Sequence, residues 1–282
     1  HYTFIDSLVV GAAMMFSSTI IGIKLLPTTI LHHRHIGELM IGLLLLQDLL
    51  AIVVLMVLLS AATGNDGNMG GDLAASLLSL PLLAGAALLV VRYILLPLIT
   101  RFDRFHEYIF LLAIGWCLGL AETAHALGLS AEIGAFIAGI TIATSPIAQY
   151  IAVSLKPLRD FFLILFFFSV GARFDLAVLH QVLTPALLLA VLMLVLKPVV
   201  FRYLLIGVSE QRSLGWDLGF RLGQASEFSL LIAYVAISGA LISNQASLLI
   251  QATTIITLLV SSYIVVFNYP TPIAVSDRLR RD

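Results

Sequence analysis

About nine stretches of this chain are apolar over the length of a membrane-crossing helix, with only short loops between them. They run roughly 7–26, 37–60, 74–98, 107–127, 129–148, 159–178, 182–206, 213–237 and 245–267, close to the ~20 residues that a bilayer core requires. Backbone groups without partners are costly in hydrocarbon, so a segment of this kind crosses as a helix. Composition agrees. Hydrophobic residues make up 60% of the chain and charged residues 11%, against about 25% charged in a soluble domain, and the mean hydropathy is +1.07. The expectation is an all-α polytopic membrane protein. The net charge of −1 gives no reason to expect a nucleic-acid partner. The single cysteine, Cys117, cannot form an internal disulfide. The glycine-rich run 63–72 reads as an exposed turn, because no Lys-Ser/Thr follows it to cradle a phosphate.

Basic residues test the span map. Lys24 and Arg34 lie between spans one and two, and Arg92, Arg101 and Arg104 around the loop after span three. Lys156 and Arg159 follow span five, Arg202 and Arg212 span seven, and Arg278, Arg280 and Arg281 span nine. The alternate loops hold only Arg173. By the positive-inside rule the basic loops and the C-terminus are expected in the cytoplasm and the N-terminus outside. The first span starts almost at His1, with no Met and no signal peptide before it, which points to helices missing ahead of it.

Two spans carry polar knots where the helix is expected to break. Span one contains Ser17, Ser18 and Thr19; span eight contains Gly223, Gln224, Ser226 and Glu227. Ser and Thr can bond a preceding carbonyl or cap a new helix start, and Gly loosens the backbone. A Ser-Ser-Thr run alone is more often a packing contact. Here, however, the two segments run in opposite directions on the charge map. Each is followed by a span with a polar centre, Gln47-Asp48 in one case and Gln251 in the other. Each unit therefore reads as half of an inverted repeat, the arrangement that places transport sites at the midplane between discontinuous helices.

Asp48 lies in the middle of the apolar stretch 40–59. An acid at that depth costs about 2.5–3.5 kcal/mol on insertion scales and is a functional candidate by default. Lys197 lies too deep in span seven to snorkel comfortably, and Asp48 is its expected ion-pair partner; a directly titrating lysine and a lysine facing a water-filled vestibule are the alternatives. Pro198 beside it removes a backbone donor. Arg221 has Asp217 four residues earlier, a favourable helix pair. Glu227, just past the second break, is expected to face the positive end of the following half-helix as a cap. Glu122 and Glu132 flank an outer turn. The run His32, His33, Arg34, His35 reads as a solvated loop, and no metal site or cofactor is expected.

These residues together resemble the membrane domain of Kef-type monovalent cation:proton antiporters, the second cation:proton antiporter family. The resemblance rests on Ser17–Thr19, Leu43–Asp48, Gly128–Gly139, Phe166–Gly171 and Gly223–Phe228, in family order and across essentially the whole chain; Lys197 also falls where the family has a buried lysine. It implies a sodium/proton-antiporter-like fold with two crossed broken helices. Asp48, beside Gln47, would alternately bind a proton and a cation, with Ser17, Ser18 and Thr19 close by. It also implies a homodimer, formed partly through helices absent here, in an inner membrane. Segments 7–60 and 182–267 would form the core, with 74–178 intervening. Three departures stand out, one of them Arg221 at a position that is usually apolar in the family. The chain stops soon after span nine with no nucleotide-binding domain, and the loop after span five carries no acid before Asp160.

The expected function is exchange of a monovalent cation, K⁺ favoured over Na⁺, for H⁺, one for one. A Na⁺/H⁺ antiporter and a bile-acid or anion-type symporter remain alternatives within the same fold. A non-transporting relic is another. An intramembrane enzyme is disfavoured, because Asp48 has no second Asp at its depth and no clustered Asp for magnesium.

Overall fold

The computed structural model describes residues 2–26, 35–63, 69–101, 106–143, 145–173, 176–207 and 212–271. The loop residues His32, His33 and Arg34 and the C-terminal arginines lie outside them. The described chain is helical: α1 Phe4–Met15, α2 Thr19–Lys24, α3 His35–Thr63, α4 Met69–Val90, α5 Leu96–Arg101, α6 His106–Ala126, α7 Ala131–Ala143, α8 Ala148–Arg173, α9 Leu176–Gly207, α10 Arg212–Arg221, α11 Glu227–Ser238 and α12 Asn244–Asn268. A π-helical turn, Val91–Leu95, joins α4 to α5. Among the described residues six helical segments are long and apolar enough to cross a membrane: Phe4–Lys24, His35–Ala62, Leu78–Arg101, Glu107–Ala126, His180–Gly207 and Asn244–Asn268.

The three other expected spans take different forms. Segment 129–148 is the shorter apolar helix α7, which ends just before Pro146. Of segment 159–178, residues 159–173 are the end of a helix that starts back at Ala148 and carries Lys156, Arg159 and Asp160 on its way, and residues 176–178 begin α9. Segment 213–237 is two helices, α10 and α11, with an irregular stretch between them.

The chain divides into two compact units, residues 1–63 with 175–282, and residues 64–174. In the first, α3 packs on α10 and α11, α1 on α11 and α12, and α9 on α10 and α12. Its core includes Leu26, Met40, Leu44, Phe201, Leu205, Leu218 and Leu222. In the second, α6 and α7 are the closest pair. Gly134 makes that approach possible: a Cβ there would run into the Leu120 carbonyl oxygen and lie 2.6 Å from Ala121 Cα. With hydrocarbon on both sides there is little hydrophobic drive between helices, and close backbone contact does much of the packing. Gly134→Val is therefore expected to lower thermal stability by about 1–3 kcal/mol, the cost of overpacking. A melting temperature unchanged from wild type would contradict the tight seam.

Candidate functional site

Both polar knots break their helices. The first half-helix stops at Met15 because Phe16 is extended, with φ −80° and ψ 148°. The next begins at Thr19 under Ser18, whose hydroxyl accepts from the Ile21 amide at 3.3 Å. In the second segment α10 ends at Arg221, and α11 begins at Glu227 under Ser226. The Ser226 hydroxyl accepts from the Phe228 amide at 3.1 Å, and the Ser229 hydroxyl accepts from the Ser226 amide at 3.2 Å.

The breaks meet each other. The Ser17 hydroxyl donates to the Leu222 carbonyl at 2.7 Å, and the Gln224 side-chain amide donates to the Ser18 carbonyl at 3.4 Å. The Ser229 hydroxyl donates to the Ala13 carbonyl at 2.6 Å. Helix α12 closes the back: Thr257 accepts from the Ala225 amide at 3.1 Å and Ser261 donates to Gln224 Oε1 at 2.9 Å. Backbone groups left over at a break must find partners inside the protein at membrane depth, and these buried side chains supply them.

Asp48 reaches the crossing from α3. Its neighbour Gln47 pins that helix to the first break, accepting from the Ser17 amide through Oε1 at 2.8 Å. Gly22 lets α2 lie close to α3, since a Cβ there would be 2.7 Å from the Met40 terminal methyl. The Thr19 hydroxyl donates to the Asp48 carboxylate, 3.3 Å from Oδ1 and 3.2 Å from Oδ2. That hydroxyl is its one hydrogen-bond partner among the described residues, and the carboxylate remains partly open.

Lys197 corrects an expectation. Its ammonium does not pair with Asp48. It donates to the Phe16 carbonyl at 2.5 Å, to the Gln224 carbonyl at 2.7 Å and to the Ser17 hydroxyl at 3.4 Å. These are carbonyls of the two breaks themselves, where α1 and α10 have ended and the helix dipole is negative. Backbone packing brings the lysine there. A Cβ on Gly219 would lie 2.7 Å from Pro198 Cα, so α10 runs against α9 at the residue after Lys197.

Glu227 is the counterpart. Its carboxylate faces the Ser18 hydroxyl and Ile20 amide at the start of α2, and the Ser226 hydroxyl and its own amide at the start of α11. Those are the positive ends of two half-helices. The true cap of α11 is Ser226, and Glu227 Oε2 is buried without a hydrogen bond. Glu227 is also close enough for its charge to act on Asp48.

Of the other expected residues, Gly223 sits inside the second break beside the Pro198 ring, and Gln251 turns away to bond Ser247 at 3.1 Å. One buried charge has no counterpart among the sequence expectations, and another has more partners than its spacing implied. Asp6, 1% exposed, accepts from the Thr3 amide at 2.9 Å and from the Ser243 amide at 2.7 Å, tying the start of α1 to the start of α12. The Thr3-x-x-Asp6 spacing of a capping box was the available signal. Arg221 bonds Asp217 at 2.7 Å as its spacing implied, but it also donates to the carbonyls of Leu25 at 2.9 Å and Pro270 at 3.0 Å.

A family model described as sodium/hydrogen exchanger, transmembrane, matches residues 1–267. The chain belongs to the sodium/hydrogen exchanger family. As a member it is a multi-pass membrane protein. K(+) efflux antiporter 4 of Arabidopsis thaliana is 30% identical to this chain over 260 residues, covering 90% of it and 44% of the relative. K(+) efflux antiporter 6 of the same plant is 28% identical over 263 residues, 90% of this chain and 43% of the relative. Iron transporter MagA of Paramagnetospirillum magneticum is 28% identical over 258 residues, 91% of this chain and 59% of the relative. The chain thus spans about half the length of the curated relatives it matches.

Proposed function

We propose that this chain forms the ion-translocating part of a monovalent cation:proton antiporter in which Asp48 carries, in turn, a proton or the cation. The observation behind the reading is a division of labour among the three charges at the crossing. Lys197 is committed to the negative ends of two half-helices, and Glu227 faces the positive ends of two others. Asp48 is committed to neither. It holds a single hydroxyl and stays partly open. A carboxylate that must be neutralised at membrane depth takes a proton or a cation, and it cannot take both. Competition for one site couples the two fluxes.

The exchange is one for one. Asp48 alternates between one proton and one monovalent cation, so each turnover moves no net charge. The cation is an alkali ion. Carboxylate, hydroxyl and amide oxygens suit hard cations, and one free charge is a poor match for iron. K⁺ is favoured over Na⁺ because several relatives are named as K(+) efflux antiporters. The basic-residue map supports a cytoplasmic C-terminus in a cell membrane, and the antiporter resemblance supports a homodimer.

Proteoliposomes holding the full-length protein and a pH-sensitive dye give the test. K⁺ pulses should dissipate an imposed proton gradient, Na⁺ and Li⁺ less so. The rate should be the same with the membrane potential clamped by valinomycin or left free. A rate that follows the imposed potential would contradict the one-for-one exchange, and no cation-dependent proton movement would contradict the antiport itself.

A further inference from the structure

One stretch of α10 carries a feature that the ion site does not use. Gly215 and Gly219 present a bare face to α9. A Cβ on Gly215 would come within 3.0 Å of Arg202 Cα. That closeness lays the Arg202 guanidinium over Trp216, 4.7 Å from the ring centroid. Trp216 stacks on Phe220 at 5.6 Å, Phe220 lies 5.9 Å from Tyr269, and the Arg221 guanidinium lies 5.5 Å from the Tyr269 ring. Three rings thus connect two guanidinium groups.

The two arginines differ in one respect. Arg221 is 1% exposed and saturated by Asp217 and the carbonyls of Leu25 and Pro270. Arg202 has the indole and no hydrogen-bond acceptor among the described residues; its Nε is shut off from solvent with nothing to bond. A guanidinium stays charged at any relevant pH and carries five donors in a planar fork. A buried donor left unmet is costly, so the site is short of an acceptor with matching geometry.

Arg202 stands near the end of the apolar segment His180–Gly207, next to Tyr203 and Leu204, which are 68% and 60% exposed. The end of a spanning segment, with exposed aromatic and apolar neighbours, is where headgroups of a leaflet lie. We infer that Arg202, backed by Trp216, is a binding site for a phosphate group, held by the fork of the guanidinium. Phosphate oxygens match that fork in pairs, which a lysine ammonium cannot reproduce. The source is an anionic phospholipid headgroup or free phosphate, and the two can be told apart. A bound phosphate would fix the outer end of the ring column, whose inner end holds the chain just past α2 and just past α12.

The experiment follows the melting temperature of the purified full-length protein in detergent, with added phosphatidylglycerol, phosphatidylcholine or inorganic phosphate. Phosphatidylglycerol should raise it by several degrees more than phosphatidylcholine does. Arg202→Gln should lose most of that difference, and Arg202→Lys should keep only part of it. An equal rise with inorganic phosphate, lost in Arg202→Gln, would assign the site to free phosphate. Should Arg202→Gln fail to fold, Trp216→Leu, which keeps the charge but removes its backing, should likewise shrink the difference. A difference as large in the variants as in wild type overturns the site.

Discussion

Asp48→Asn is expected to bring cation-driven proton movement down to the level of empty vesicles, with the protein still folded. Asparagine keeps the shape of the side chain and can still meet the Thr19 hydroxyl that now bonds the carboxylate at 3.2 and 3.3 Å. It cannot gain or lose a proton and offers an alkali ion no charge. Folding should be unaffected, or slightly improved, because a membrane-buried acid costs about 2.5–3.5 kcal/mol that an amide largely avoids. Dye-reported exchange and melting temperature, measured on the same preparation, decide the matter. Exchange at the wild-type rate would remove Asp48 from the mechanism. Lost exchange together with collapsed stability would mean that the variant reports on folding instead.

The breaks were legible because Ser, Thr and Gly inside apolar runs are unusual and their effects local. Ser18 caps the residue three ahead of it, and Ser226 the residue two ahead. The positions of Asp48 and Lys197 well inside long apolar helices were legible too, since they follow from place along a span. What Lys197 touches was not. Its partners are carbonyl oxygens of Phe16 and Gln224, 181 and 27 residues away. Every residue has a carbonyl, so nothing in the sequence marks the two that a break leaves exposed. An acid is the visible candidate for a buried lysine, and Asp48 was the visible acid. Glu227 shows the same limit. Its position beside one half-helix was readable, but its approach to the start of α2 depends on how the two breaks cross. Asp6 stayed unread for another reason: near a span end it looks like an ordinary interfacial acid, until the start of α12 is packed against it. The spans that came out differently, 159–178 above all, share a cause as well. An apolar window does not say where its helix begins, and Lys156 to Asp160 belong to the same helix as Phe161 to Phe168.

Lys197→Met is expected to lower stability sharply while leaving the pH dependence of the surviving exchange in place. Methionine matches the length of the lysine stem and removes the ammonium. The Phe16 and Gln224 carbonyls, now 2.5 and 2.7 Å from Nζ, then lose their donor in a site 7% exposed. An unmet buried polar group costs about 1–3 kcal/mol, so two of them put the loss at about 2–6 kcal/mol. The negative ends of α1 and α10 also lose the cation between them, and that adds in the same direction. An ion pair with Asp48 would give a different signature. Removing a positive partner makes the carboxylate hold its proton more tightly, so exchange would shift to more alkaline pH. If Lys197 itself carried the proton, the variant would be stable and inactive, or its exchange would become sensitive to membrane potential. Arg221 offers an internal control. It too bonds carbonyls past a helix end, and its loss should lower stability in the same way with no change in the pH profile. A pH profile displaced in Lys197→Met but not in Arg221→Met would restore the ion pair; displacement in neither, with both proteins less stable, is the result that the carbonyl contacts require.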